Sequence, residues 1–255
     1  MSIIMGRGQE AREAIENTGG SGIDFSKAFI RLKAGDSIRV RVLSNYDYVA
    51  YKAHGHFKKG IHTQPCIKVA NERCLLCEAS SYNGDLIGSV IDTVKNMKGE
   101  EISEWNSLYA KKRVLFAFID LDEDMIRIFD ATKNQAEGLI ETIEEYADDL
   151  DEMAFALKRT GERLDTTYSL NPIMPKKMAE VQEVFDKHEG ESITDELFEE
   201  ALQARTTEEQ AKELMTAGFP LKQALDYELT IEAKDEDTVE VIDETEAIDE
   251  DDLGF

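Results

Sequence analysis

All three cysteines of the 255-residue chain, and three of its four histidines, fall between His54 and Cys77. The stretch reads HGHFKKGIHTQPCIKVANERCLLC. Cys74 and Cys77 form a CxxC, whose spacing lets two thiolates reach one ion from a tight turn. Cys66 and one imidazole would complete a closed Cys3His tetrahedron. A closed set is structural, because a catalytic zinc keeps a position open for water. A metal-stapled hairpin is therefore expected, with one structural zinc ion. A redox CxxC would need a strand-to-helix junction of an α/β unit, and the segment before Cys74 reads as a hairpin instead.

The histidine ligand follows from strand register. Tyr48–Phe57 and Ile61–Cys66 read as two strands joined at Lys58-Lys59-Gly60. That turn pairs Phe57 with Ile61, His56 with His62 and His54 with Gln64, leaving Cys66 diagonal to His54. His62 lies four residues along the strand from Cys66, about 13 Å at ~3.3 Å per residue, too far to share an ion. His54 is the favoured ligand, with His56 and His62 as alternatives, since a slip of one residue would change the face.

Charge is polarised along the chain. The formal net charge is −25, from 54 acidic and 29 basic residues. Residues 231–255 hold twelve acids against the single base Lys234. Between Arg31 and Lys59, seven bases meet only Asp36 and Asp47. The asymmetry says more about partners than the sum does. No apolar run approaches membrane-spanning length and Ile3-Ile4-Met5 is too short for a signal peptide, so a soluble cytoplasmic protein is expected.

Ser37–Leu43 alternates, with Ile38, Val40 and Val42 on one face and Arg39 and Arg41 on a basic outer face. Lys111–Leu121 reads as the strongest strand, with Asp124–Phe129 returning beside it. Leu86–Met97 reads as helical, and Leu139, Ile143, Tyr146, Leu150 and Met153 recur at amphipathic-helix spacing. Phe155–Arg159 and Thr166–Leu170 form a further hairpin. Short antiparallel strands with a helix before the last hairpin suit a mainly β chain with some α, built as an OB-fold Greek-key barrel carrying the zinc hairpin as an excursion. An α+β sandwich has the same periodicity.

The expected organisation is a flexible N-terminal arm at 1–24, an OB core at 25–171 with the zinc hairpin at about 48–80, and a helical extension at 172–230. Candidate short helices there are Met178–His188, Asp195–Ala204 and Glu208–Thr216. Residues 231–255 are too acidic and too poor in large apolar side chains to fold alone, and form a disordered acidic tail.

Cations that track phosphates and rings that stack on bases hold single-stranded nucleic acid. The candidates on the expected barrel strands are Arg39, Arg41, Tyr46, Tyr48, Tyr51, Lys52, Phe57, Lys58, Lys59, Lys111, Lys112 and Arg113. The terminal Asp251-Asp252-Leu253-Gly254-Phe255 offers acids and an apolar tip to a basic-rimmed pocket of a partner protein. No P-loop, GxSxG or HExxH is present, and Asp120, Asp122, Glu123 and Asp124 read as a solvated turn, so no enzymatic activity is expected.

The HGHFKKG…PC…CLLCEAS segment resembles the zinc ribbon of the replicative single-stranded DNA-binding proteins of tailed bacteriophages, His-Gly-Phe-Lys-Lys…Cys…Cys-Pro-Val-Cys. The resemblance covers roughly residues 25–170. It implies that His54, Cys66, Cys74 and Cys77 are the zinc ligands. It also implies sequence-independent binding of single-stranded DNA in replication, recombination and repair, within a host cell's cytoplasm. Asp-Asp-Leu-Gly-Phe is separately similar to the tails of bacterial single-stranded DNA-binding proteins, which recruit replication and repair enzymes. Where the family's best-known member has a basic N-terminal arm, residues 1–20 offer only Arg7 and Arg12. The rival from another class is a zinc-ribbon adaptor that binds proteins through the acidic tail and makes no DNA contact.

Overall fold

The computed structural model describes residues 25–229, so the expectations for the N-terminal arm and the acidic tail, Asp251 to Phe255 included, lie outside the described residues. After a single helical turn, α1 (Phe25–Ala28), the chain forms β1 (Ser37–Arg41), β2 (Tyr48–His56) and β3 (Ile61–Pro65). Helix α2 (Leu75–Ser81) precedes a small hairpin of β4 (Thr93–Lys95) and β5 (Glu101–Ser103). The long pair β6 (Lys111–Asp120) and β7 (Met125–Thr132) leads into α3 (Lys133–Glu145). Strands β8 (Phe155–Thr160) and β9 (Thr167–Pro172) follow. Four helices close the described chain: α4 (Pro175–Lys187), α5 (Asp195–Leu202), α6 (Thr207–Thr216) and α7 (Leu221–Leu225).

Seven strands form one antiparallel sheet in the order β3-β2-β6-β1-β8-β9, with β7 on the other edge of β6. β6 is its spine. Its first half pairs with β2, from Ala53 opposite Lys111 to Tyr48 opposite Phe116, and its far end pairs with β1. Two strands sharing one edge must diverge, and the sheet curls into a half-barrel. Val40, Val42, Phe116, Phe118, Phe129, Phe155 and Leu157 fill its concave side, where Ala136, Leu139 and Ile143 of α3 pack against them.

The alternate residues of β6 are also buried. Leu115 and Ala117 lie under Phe198 and Ala201 of α5, while Ile119 and Leu121 meet Val181 and Phe185 of α4. A strand covered on both faces reads as an unbroken apolar run rather than an alternation. The sequence VLFAFI at 114–119 is such a run.

Three local expectations are corrected. Leu86–Met97 is not helical but turns through Gly88 (φ 82°) and enters the β4–β5 hairpin. There the Asn96 side chain accepts hydrogen bonds from the Lys98 and Glu100 amides, a local turn that competes with helix. The amphipathic helix ends at Glu145, although Tyr146, Leu150 and Met153 still pack into the half-barrel core. Its last turn carries no base, and Asp148, Asp149 and Asp151 beyond it oppose the helix dipole. The face of β1 expected to be open and basic is instead covered by α4. Thr194 does precede a helix as expected, standing at the N-cap position of α5 without a side-chain cap hydrogen bond. Among the described residues no helix is long and apolar enough to cross a membrane.

A candidate metal centre and the surface around it

β2 delivers His54 and β3 leads into Cys66, whose amide donates to the Lys52 carbonyl at 2.8 Å. Cys74 stands immediately before α2 and Cys77 lies in its first turn. The four donor atoms lie within 4.8 Å of one another. His54 Nε2 is 3.4 Å from the Sγ atoms of both Cys74 and Cys77, and the Sγ atoms of Cys66 and Cys77 are also 3.4 Å apart. A tetrahedron with ~2.3 Å metal–sulfur arms has edges of about 3.7 Å, so the set is close enough to hold a metal ion.

The donor chemistry fits as well. His54 is 1% exposed, and its Nδ1 lies 2.6 Å from the Leu108 carbonyl. That contact places the proton on Nδ1 and turns the Nε2 lone pair toward the thiols, the usual arrangement behind a metal-bound imidazole. Without a cation among them, burial and the neighbouring Cys66 and Cys74 push the Cys77 thiol well above its ordinary range. A divalent cation would supply the opposite field.

The hairpin register explains why His54 and not its neighbours belongs here. His54 pairs with Gln64 as expected, but a bulge on β3, where His62 and Thr63 oppose the single residue Gly55, then sets His56 opposite Ile61 rather than His62. The connection over Phe57–Lys59 is a 3-10 turn closed by Gly60 at φ 74°, which takes Phe57 out of its expected pairing with Ile61. His56 turns away from the cluster to stand edge-on to Trp105 at 5.8 Å, and burial lowers its pKa. His62 is exposed beside the Phe57 ring at 6.0 Å.

The basic and aromatic candidates divide sharply. Arg41 is only 4% exposed; its guanidinium donates to the Phe185 carbonyl and lies 3.9 Å over the Phe185 ring. Arg39 is tied to Asp122 at 2.8 Å and to Glu180 of α4 at 2.9 Å. Arg113 is paired with Asp130 at 2.9 Å beside a half-buried Tyr51, whose hydroxyl pKa burial raises. Lys59 is held by Glu104 at 2.8 Å over the Trp105 ring, and Tyr48 packs on Phe116 at 5.5 Å. These side chains serve the fold.

Lys52, Lys58, Lys111 and Lys112 are exposed and have no carboxylate partner among the described residues. Lys52 stands directly opposite Lys112, and Ala53 opposite Lys111. Tyr46 is 81% exposed and Phe57 43%. Tyr109, which sequence reading did not single out, is exposed with Lys111 Nζ 5.3 Å from its ring. The Tyr109-Ala110-Lys111 spacing before a strong strand was the available signal.

The acidic turn between β6 and β7 is built rather than merely solvated. Asp120 is fully buried and accepts from the amides of Asp122 and Glu123 and from Arg127. Asp124, at φ 54°, meets Lys187 and His188 at the end of α4. The chain matches no protein-family model and no curated protein sequence.

Proposed function

We propose that this chain is a non-catalytic, sequence-independent single-stranded DNA-binding protein of a bacteriophage, acting in replication, recombination and repair. The half-barrel is taken as OB-type. His54, Cys66, Cys74 and Cys77 would hold one structural zinc ion, which supplies a rigid four-point staple at the base of the β2–β3 hairpin. The observation that carries the reading is the uncompensated pair Lys52–Lys112 with Lys111 beside it. Like charges directly opposite one another on a sheet cost stability. The phosphodiester backbone of a nucleic acid is the partner that offsets that cost, and exposed Phe57, Tyr109 and Tyr46 offer ring faces to bases. The acidic residues 231–255 would recruit partner proteins through Asp251, Asp252, Leu253, Gly254 and Phe255.

The test is anisotropy of a labelled oligo(dT) titrated with the protein at low and high salt, with single-stranded and duplex competitors. Single-strand-selective binding that weakens as salt rises supports the reading, and Lys52→Glu with Lys112→Glu should abolish it. One observation favours the rival zinc-ribbon adaptor: Arg39, Arg41, Lys59 and Arg113 are engaged inside the fold. No binding at low salt would put that adaptor in front.

A further inference from the structure

The helices after Pro172 serve two different cores. α4 and α5 cover the half-barrel, whereas Ala211, Leu214, Phe219 and Leu221 of the α6–α7 segment pack with Cys66, Cys74, Leu75, Leu76 and Trp105. The metal lobe is therefore assembled from two stretches of chain separated by about 100 residues.

The junction is polar as well as apolar. Gln210 of α6 is fully buried. Its Oε1 accepts from the Leu75 amide at 3.0 Å and its Nε2 donates to the Arg205 carbonyl at 3.3 Å. Leu75 lies inside the CxxC, and its amide, in the first turn of α2, has no intrahelical acceptor. Thr207 Oγ1 donates to the carbonyl of Arg73, the residue before Cys74, at 2.7 Å. Arg73 returns a bond to the Leu225 carbonyl at 3.3 Å. On the hairpin side Gln64, opposite His54, donates to the carboxylate of Glu213. Both ligand-bearing segments are thus hydrogen-bonded to α6, and Phe219 seals the junction edge-on to Trp105 at 5.1 Å.

We infer that α6–α7 is the outer shell of the metal centre, with Gln210 as the positioning residue for the CxxC turn, and that metal occupancy and docking of residues 205–229 form one coupled equilibrium. The inference rests on the metal reading above. An ion that draws Cys74 and Cys77 together presents the Leu75 amide to Gln210. By linkage, whatever factor the ion adds to docking, docking adds to the affinity for the ion. Metal loss therefore loosens the segment that leads into the acidic residues 231–255.

Zinc affinity is measured on the full chain by competition with a chromophoric chelator. Gln210→Leu keeps the volume but removes the acceptor, and should weaken zinc binding about 10- to 100-fold, as outer-shell changes do. Phe198→Ala, in the α5 core, lowers stability elsewhere and should leave zinc affinity within about twofold. Cobalt substitution adds a signature: Gln210→Leu should alter the ligand-field bands that Phe198→Ala leaves unchanged. In hydrogen exchange on the wild-type chain, chelation should remove protection from residues 205–229 while β8 and β9 keep theirs. Unchanged zinc affinity in Gln210→Leu, or continued protection of 205–229 after metal removal, overturns the coupling. If Gln210→Leu does not fold, the exchange result on the wild-type chain decides alone. A wild-type chain that binds no zinc removes the metal reading and the coupling with it.

Discussion

Asp47 offers a test of the half-barrel in which the sign is as informative as the size. It lies in the β1–β2 loop, where its backbone carbonyl accepts the Ala117 amide at 3.0 Å and fixes the loop to β6. Its side chain is half-buried, Oδ2 has no hydrogen-bond partner, and burial raises its pKa to about 6. The folded value lies above the ordinary aspartate value of 3.8, so the native state holds the proton more tightly than the unfolded chain. Below about pH 4 both states are protonated and the carboxyl costs nothing. Between about pH 4 and 6 the unfolded chain gives up the proton that the native state keeps, so stability falls, and above 6 the native state carries a poorly solvated anion and the loss is complete. Two pKa units correspond to about 3 kcal/mol, and the group's partial exposure reduces this to about 1–1.5 kcal/mol.

Asp47→Asn keeps the shape and the backbone bond while removing the charge. The variant should be about 1–1.5 kcal/mol more stable than wild type at pH 8, and the gap should close toward pH 4. Urea midpoints at unit pH steps, read by the buried Trp105, measure it. Other groups titrate equally in both proteins, so the difference isolates Asp47. A gap that does not change with pH, or a variant less stable at pH 8, would refute the assignment of the cost to this carboxylate.

Two further substitutions follow from the geometry. Gly161, at φ 75° in the β8–β9 turn, has the Asp165 carbonyl oxygen 2.1 Å from where a Cβ would sit, so Gly161→Ala should cost about 1–3 kcal/mol by urea denaturation. Lys58→Ala should lower the salt slope of single-strand binding by about one, since Lys58 has no carboxylate partner among the described residues. Lys59→Ala should instead leave the slope unchanged and lower stability, because its ammonium is spent on Glu104 and Trp105.

Much of the β architecture was legible because its signals are local. The unbroken VLFAFI run, the β8–β9 hairpin and the helix start after Thr194 all appear where their residues place them. The metal set was legible for the same reason, with every thiol inside one short window. The β3 bulge opposite Gly55 was not, since nothing in His62-Thr63 requires an extra residue there, and so the expected pairing of His56 with His62 is off by one. The coverage of Arg39 and Arg41 was equally hidden. An alternating strand tells which residues share a face, but a helix that begins some 130 residues later decides whether that face meets water. Gln210 sits on a helix whose outer positions are charged, and nothing in its own neighbourhood points to a turn so far upstream.

The split construction of the metal lobe has a consequence for synthesis. At ~5–20 residues per second, Gln210 leaves the ribosome roughly 7–27 s after Cys77. During that interval the three thiols and His54 can already meet an ion, while Leu75, Leu76 and Trp105, all buried in the finished protein, still lack the helices that cover them. The half-barrel completes its last strand at Pro172, well before α6 is made. With an ion bound there, the nascent chain would carry an early four-point staple, while its apolar flank stays open until almost the last described helix arrives, and that flank is where a slow or interrupted synthesis would expose the protein to misassembly.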